Sequence, residues 1–469
     1  MKIILIALPQ KVDHVTFEAV EIAPLALYLL AAVLKKENHQ VYVIDPCEFL
    51  QFQKNEKIDE ACAAYVMERI REYEAEAVAF SVNSFNWSNS KIVVDMAEEE
   101  FPNLYIALGG LHATIFAEHV LEVSKAHVAM RGEGEKVIVN LCNALESGKE
   151  LCKVKGIIYK MNGCIFSNED EEPLTIEEMK NSPLPSYELL PENNPYTQMP
   201  VESSRGCYYS CAFCSIPHRH VWRGLDEIAV IERTKHALKY HNNIIRDSHV
   251  LYVDDCFTAN RDRAINIFSR LGQLYGNSHK FFIEARITDI IRGNILQNIP
   301  SEMISSMQIG VECGYNEGLK RIHKGLTVEQ LYEGLKLIKE YKFEHHCFLS
   351  FIIGFPWETM DMINQTLDTI ERISSEYHVV CNLNWLLFLP SDLWKERKEY
   401  HIDLEEDVFD QVLWYGNSKF FFQSHPKICW EDILQVEERI RIMQMKGPVG
   451  YRRSIGLEEG YKEPSSAWV

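Results

Sequence analysis

The sequence predicts an α/β protein of two parallel-sheet domains: a doubly wound, Rossmann-like domain over residues 1–150, then a partial (β/α)6 TIM-like barrel over 199–389. Three observations carry this. Short apolar runs of strand length alternate with helix-length segments in both halves, as parallel sheets covered by crossover helices require. Residues 151–198 break the alternation with an acidic run at 169–172 and Pro183, Pro185, Pro191 and Pro195, the composition of a linker. Polar residues and glycines collect where the apolar runs end, which in such sheets is the ligand-binding edge. Residues 390–469, where alternation fades, are expected to form a small, mainly helical C-terminal region.

In the first domain, residues 2–8 read as a central strand closed by Pro9, 23–36 as a helix and 41–45 as the next strand. The alternation continues with helix 58–74, strand 77–82, helix 90–99, strand 104–108, helix 116–123, strand 127–130 and helix 135–147. Three loops follow strands at the ligand edge and carry Asn83 and Ser84, then Gly109, Gly110 and His112, then Gly132 and Glu133. Glycines let a backbone approach a ligand closely, and helices that begin just beyond offer free N–H groups. His112 and His14 each lack a second ligand at metal spacing and read as loop histidines. In the linker, 156–160 and 164–166 form a hairpin around Asn162-Gly163.

The second half repeats the rhythm. Strands are expected at 199–203, 250–254, 281–285, 308–312, 346–353 and 379–389, with helices between them, one capped by Thr327. Asp254-Asp255, Glu284-Ala285-Arg286, Gly310-Val311-Glu312 and Gly354-Phe355-Pro356-Trp357-Glu358 stand at successive strand ends. Taken singly, each charge is equally well a barrel-end salt bridge.

Between the first strand and the first helix of this half lies Cys207-x-x-x-Cys211-x-x-Cys214. Three thiolates in one loop chelate a soft metal centre, zinc or iron–sulfur; a closed zinc site wants a fourth ligand, whereas a cubane held by three thiolates leaves one iron open. With Tyr208 and Phe213 in the same loop, the motif resembles the radical S-adenosylmethionine superfamily. The resemblance implies a 4Fe-4S cluster on Cys207, Cys211 and Cys214, with S-adenosylmethionine chelated at the open iron. It further implies that Asp254, Glu284, Arg286, Glu312 and Gly354 contribute to that cofactor's site. Arg286 would pair with the methionine carboxylate, Glu312 would approach the ribose or the substrate as the catalytic-site acid, and the Gly354 strand would run beside the adenine. The first domain, with Ala23-Pro24-Leu25 and the three loops, resembles the cobalamin-binding domain that precedes the radical core in one large class of this superfamily. That implies a corrinoid held around Asn83, Ser84, Gly109, Gly110, His112, Gly132 and Glu133. No Asp-x-His-x-x-Gly motif is present, and Asp13-His14 lacks its spacing, so either cobalt carries no protein imidazole or the domain has lost the cofactor.

Composition narrows the substrate class. The 469-residue chain has a formal net charge of −20, which disfavours nucleic acid, and its apolar runs are too short for a bilayer span. Thirteen cysteines without a secretion pattern suit a reducing compartment, so a soluble, cytoplasmic protein is expected. The leading reading is methylation of an unactivated carbon in a small-molecule or peptide substrate through a 5′-deoxyadenosyl radical. The alternative is a non-methylating radical reaction such as deoxygenation, epimerisation or cyclisation. A tRNA methylthiotransferase fits poorly, because the chain is acidic and shows no β-rich RNA-binding tail. The resemblance also implies a reducing partner such as flavodoxin or ferredoxin and a tail that closes the substrate pocket. Trp394, Trp414, Tyr415, Phe420, Phe421, Phe422 and Trp430 make that tail aromatic. Cys256, Cys313, Cys347 and Cys429 could donate hydrogen but read more simply as structural thiols.

Overall fold

In the computed structural model, which describes residues 1–11, 17–18, 20–216, 219–241, 249–293, 295–387, 390–410 and 425–451, two seven-stranded sheets are built in sequence. The first contains β1 (Lys2–Ile6), β2 (Gln40–Ile44), β3 (Ala77–Ser81), β4 (Tyr105–Gly109), β5 (Val128–Met130), β6 (Ile157–Met161) and β7 (Cys164–Ser167). Its order is β2-β1-β3-β4-β5-β6-β7. β1 is central, as its unbroken apolar run requires: Ile3 to Ile6 are all buried, each worth about 1.5–3 kcal/mol of transfer free energy. β1 to β5 run parallel, and strand order reverses between β1 and β3, which opens a crevice beyond their C-terminal ends.

The hairpin β6/β7 forms around Asn162-Gly163 as the turn chemistry requires, with positive φ at both residues. It does not stand alone in the linker. β6 pairs antiparallel with β5 and extends the first sheet, because Ile157, Ile158 and Tyr159 are apolar enough to be buried there.

The second sheet runs β16-β15-β14-β13-β12-β11-β8, all parallel. Its strands are β8 (Gln198–Val201), β11 (His249–Tyr252), β12 (Phe281–Ala285), β13 (Ile304–Glu312), β14 (Cys347–Ile353), β15 (Val380–Trp385) and β16 (Val449–Tyr451). β14 shows how the arc is read from one strand: Cys347, Leu349, Phe351 and Ile353 are buried, while Phe348, Ser350 and Ile352 are half-buried. The two faces of the pleat therefore meet different environments. Six strands follow the sequence expectation; the seventh, β16, comes from the C-terminal region, which is thus not only helical. Helix Trp430–Lys446 precedes β16, as the periodicity predicts.

The two units are tied together. Asp45, at the end of β2, accepts hydrogen bonds from Tyr28 at 2.5 Å and from Tyr196 of the linker. Asp410 of the C-terminal region accepts from Trp87 Nε1 at 2.6 Å and pairs with His119 at 3.0 Å. Trp394 is buried against Phe409, whereas Trp430 is exposed. Trp414, Tyr415, Phe420, Phe421 and Phe422, like His14, lie outside the described residues. Cys256, Cys313 and Cys347 are buried, and Cys429 is exposed at a helix start.

Candidate active site

The cysteine loop leaves the barrel after β8 and is framed by a two-stranded ribbon, β9 (Ser204–Arg205) against β10 (Arg223–Gly224). Asp254 fastens its base. One carboxylate oxygen accepts from the N–H groups of Ser203 and Ser204 at 2.8 and 3.0 Å, and the other from their hydroxyls at 2.5 and 2.6 Å. Every lone pair of this buried side chain is thereby engaged. Asp254, expected at the cofactor, turns its carboxylate onto the base of the cysteine loop. Its neighbour Asp255 faces the open space between the units, accepts from Gly206 N at 2.9 Å, and is pushed up by burial to about 6. Asp255 is a candidate that the sequence reading placed beside the site without assigning it a role.

Cys207, Cys211 and Cys214 are free thiols that sense one another electrostatically. Burial raises Cys214 to about 11, so a metal must displace its proton. Among the described residues, no three His, Cys, Asp or Glu side chains converge as ligands of a single ion would. Three free thiols on one loop, separated by three and then two residues in sequence with no fourth cysteine in the loop, match the three-thiolate ligand set of a cubane cluster. The loop is docked through Ala212 N to Ile322 O at 3.0 Å.

Beside it the barrel ends bring Glu284, Arg286 and Glu312 together. The Arg286 guanidinium lies 3.5 Å from the Tyr209 ring centroid, donates to the Lys324 carbonyl, and approaches Cys211 Sγ at 4.0 Å. Its buried Nε has no hydrogen-bond partner among the described residues, so this N–H is left to donate to a carboxylate. Glu312 sits at φ +76°, strained for a non-glycine residue, where the β13/β14 register shifts. It pairs with Lys324 at 2.8 Å. A Cβ on Gly310 would fall 2.4 Å from the Glu312 carboxylate and 2.8 Å from Lys324 Nζ, so glycine there makes room for the pair. Glu284 is held up at about 7, by burial first and then by the nearby carboxylates Asp255 and Glu312. Gly354, at φ +85°, starts a loop folded around the buried Glu358 carboxylate, which accepts from Gly354 N at 2.6 Å, Phe355 N at 2.9 Å and Tyr315 at 3.0 Å. Lys324, Tyr209 and Glu358 were legible only as parts of motifs, because their roles depend on strands distant in sequence.

A cavity of about 590 Å³ separates the two sheets at their C-terminal ends. From the first unit it is lined by Gly109, Gly110 and Leu111, by Gly132 to Glu135, and by Leu25, Ala26 and Leu30 of helix Leu25–Lys36; from the barrel by Gly206, Ser215, Ile216 and Asp255. Its walls are mainly backbone and aliphatic groups. Four residues expected here direct their polar groups elsewhere. Asn83 Oδ1 accepts from Phe85 N at 2.8 Å and Asn86 N at 3.1 Å, closing its own turn. Ser84 meets His112 Nδ1 at 3.0 Å, and His112 is enclosed by Trp87, Phe116 and Phe409. Burial drives His112 down to about 3, so it stays neutral. Glu133 lines the cavity, but its carboxylate accepts from Leu174 N at 2.8 Å and meets Arg205 and Arg223.

A loop of three thiols on a partial barrel thus faces a flavodoxin-ordered sheet across a shared cavity. Residues 18–142 match the B12 binding domain family and residues 201–370 the Radical SAM superfamily. An uncharacterized methyltransferase of Pyrococcus horikoshii is 30% identical over 364 residues, covering 76% of this chain and 74% of that protein. An anaerobic magnesium-protoporphyrin IX monomethyl ester cyclase of Rubrivivax gelatinosus is 26% identical over 65% of this chain and 55% of the cyclase. The structure of the cobalamin-dependent S-adenosylmethionine radical enzyme OxsB with aqua-cobalamin bound superposes with a TM-score of 0.65 at 19% identity, over 92% of this chain and 56% of that one. The chain thus spans little more than half of the latter two. It belongs to the cobalamin-binding radical S-adenosylmethionine enzymes, whose cofactors are a 4Fe-4S cluster, S-adenosylmethionine and cobalamin. Among the described residues no helix is long and apolar enough to cross a membrane.

Proposed function

We propose that this enzyme methylates an unactivated carbon of a small-molecule or peptide substrate. The observation that carries the reading is the cavity between Gly109–Gly110 and Gly132–Glu135 on one side and the cysteine loop on the other, which lets a corrinoid and a cluster-bound S-adenosylmethionine act on one substrate. When bound, the cluster supplies an electron that cleaves S-adenosylmethionine to a 5′-deoxyadenosyl radical, and cobalamin supplies the methyl carrier. Cys207, Cys211 and Cys214 would hold the cluster. Arg286, braced by Tyr209, would fork onto the methionine carboxylate, and the carboxylates Glu284 and Asp255 would offset the ammonium and sulfonium charges. Glu312, fixed by Lys324, would stand beside the ribose or the substrate.

Overall, one S-adenosylmethionine gives up its methyl group and leaves as S-adenosylhomocysteine. A second takes the substrate hydrogen and leaves as methionine and 5′-deoxyadenosine. Two electrons from a flavodoxin- or ferredoxin-class donor balance the loss of two sulfonium charges. The Pyrococcus relative, named a methyltransferase and spanned over 74% of its length, supports this reading. The cyclase relative keeps a non-methylating radical reaction as the competitor.

The test is anaerobic incubation of the cobalamin- and cluster-loaded enzyme with reductant and methyl-deuterated S-adenosylmethionine. Label recovered with the corrinoid, together with 5′-deoxyadenosine, supports methyl transfer. 5′-Deoxyadenosine with an unlabelled corrinoid favours the non-methylating reaction.

A further inference from the structure

Arg205 lies two residues ahead of Cys207 on β9, and Arg223 faces it across the ribbon on β10. Both reach out of the barrel to the loop after β5. Arg205 pairs with Glu133 at 3.1 Å and with Glu135 at 2.5 Å, and Arg223 pairs with Glu133. Glu202 closes the set from the barrel side, 2.6 Å from Arg205. All five side chains are at most 14% exposed. Buried ion clusters seldom add net stability over apolar packing, but removal of one partner strands a charge, so their usual value is to fix a register.

The same loop presents its other side to the cavity. Gly132 and Gly134 line it, and a Cβ on Gly132 would meet no atom within 4 Å. Backbone between residues 132 and 135 therefore faces the cavity, while the side chains of Glu133 and Glu135 grip the ribbon that frames the cluster loop.

We propose that Glu133 and Glu135, acting through Arg205 and Arg223, are positioning residues that couple occupancy of the corrinoid cavity to the seating of the cluster loop. The proposal rests on the cobalamin reading of that cavity. A ligand seated against Gly132 and Gly134 restrains their loop, the loop restrains Arg205, and Arg205 restrains Cys207. Cleavage of S-adenosylmethionine is thereby favoured when the methyl carrier is in place. The two sites share one braced element, so the coupling passes through a contiguous physical contact.

Hydrogen–deuterium exchange on the cluster-loaded enzyme, without and with hydroxocobalamin, reads this directly. In the wild type, cobalamin slows exchange at 132–135 and also in the ribbon at 204–205 and 223–224, by about tenfold, a size usual for coupled sites. In Glu135→Gln the ribbon loses that protection while 132–135 keeps it, and Glu135→Asp restores part of it. Protection confined to the first domain in the wild type overturns the proposal, as does full ribbon protection in Glu135→Gln. Optical spectra of the same samples report whether cobalamin is held. A wild type that holds none overturns the cofactor reading, a distinct failure. If Glu135→Gln does not fold, the wild-type comparison decides alone.

Discussion

The two strand-end edges that face the cavity recruit their ligands by different physics. At the barrel edge, charged side chains converge: Arg286 over Tyr209, Glu312 on Lys324, Glu284 held near neutrality. At the edge of the first sheet the polar side chains turn away from the cavity, Asn83 into its own turn, His112 among aromatics with its Nδ1 on Ser84 and its Nε2 unpartnered among the described residues, and Glu133 onto arginines, and the cavity wall is left to glycine backbone and aliphatic groups. A small zwitterionic sulfonium needs placed charges, whereas a broad macrocycle needs room and close backbone approach.

If each edge holds its own ligand and the two are linked only through the ion cluster of Glu133, Glu135, Arg205 and Arg223, the largest effect should fall mainly on one of them. Replacing Cys207, Cys211 or Cys214 with Ala should abolish 5′-deoxyadenosine formation and lower iron content, while cobalamin affinity falls by no more than the roughly tenfold coupling between the sites. Loss of cobalt as complete as that of iron would show that the two edges form one site.

The barrel edge should also carry a pH signature. Glu284 rises from 4.5 in the unfolded chain to about 7 in the fold, so its contribution is intact below about pH 4.5 and is lost as the pH rises through about 7. Cofactor-free wild type should lose up to about 2.5 kcal/mol more stability than Glu284→Gln between pH 5 and pH 8, as read by chemical denaturation. Equal losses would remove Glu284 from the buried charge group.

Arg286→Lys should weaken S-adenosylmethionine binding by roughly thirtyfold, about 2 kcal/mol, because a point charge neither stacks on Tyr209 nor forks. Cobalamin retention should not change. Equilibrium binding of both ligands checks the pair of statements.

On the other edge, Leu111→Trp fills the cavity from the first residue of the short helix Leu111–Ile115 after β4 and should weaken cobalamin binding by about tenfold, with iron content unchanged. Gly110→Val would be a poor substitute. At φ +92° a Cβ on Gly110 falls 2.5 Å from the Val82 carbonyl oxygen, so a side chain there disrupts the strand end itself.

Legibility in the sequence follows the same division. Strand and helix order was readable because apolar periodicity is local, and the cysteine loop because its ligands are close in sequence. Arg286 and Glu312 could be singled out because each stands at a strand end. The surroundings of Asp254 were not legible, since a carboxylate at a strand end looks the same whether it faces a ligand or two serine N–H groups about 50 residues away. Those of His112 were hidden for a like reason: its aromatic enclosure includes Phe409 of the C-terminal region. The seventh strand, β16, was missed because three residues carry too little pattern to announce a strand.

A corrinoid held in this cavity would stand against the cluster loop, and electron paramagnetic resonance tests that placement most directly. In enzyme loaded with cob(II)alamin and a reduced cluster, spin–spin interaction between the two centres is expected, seen as splitting or accelerated relaxation of the cobalt signal. A protein that retains cobalamin yet shows two unperturbed signals would contradict it.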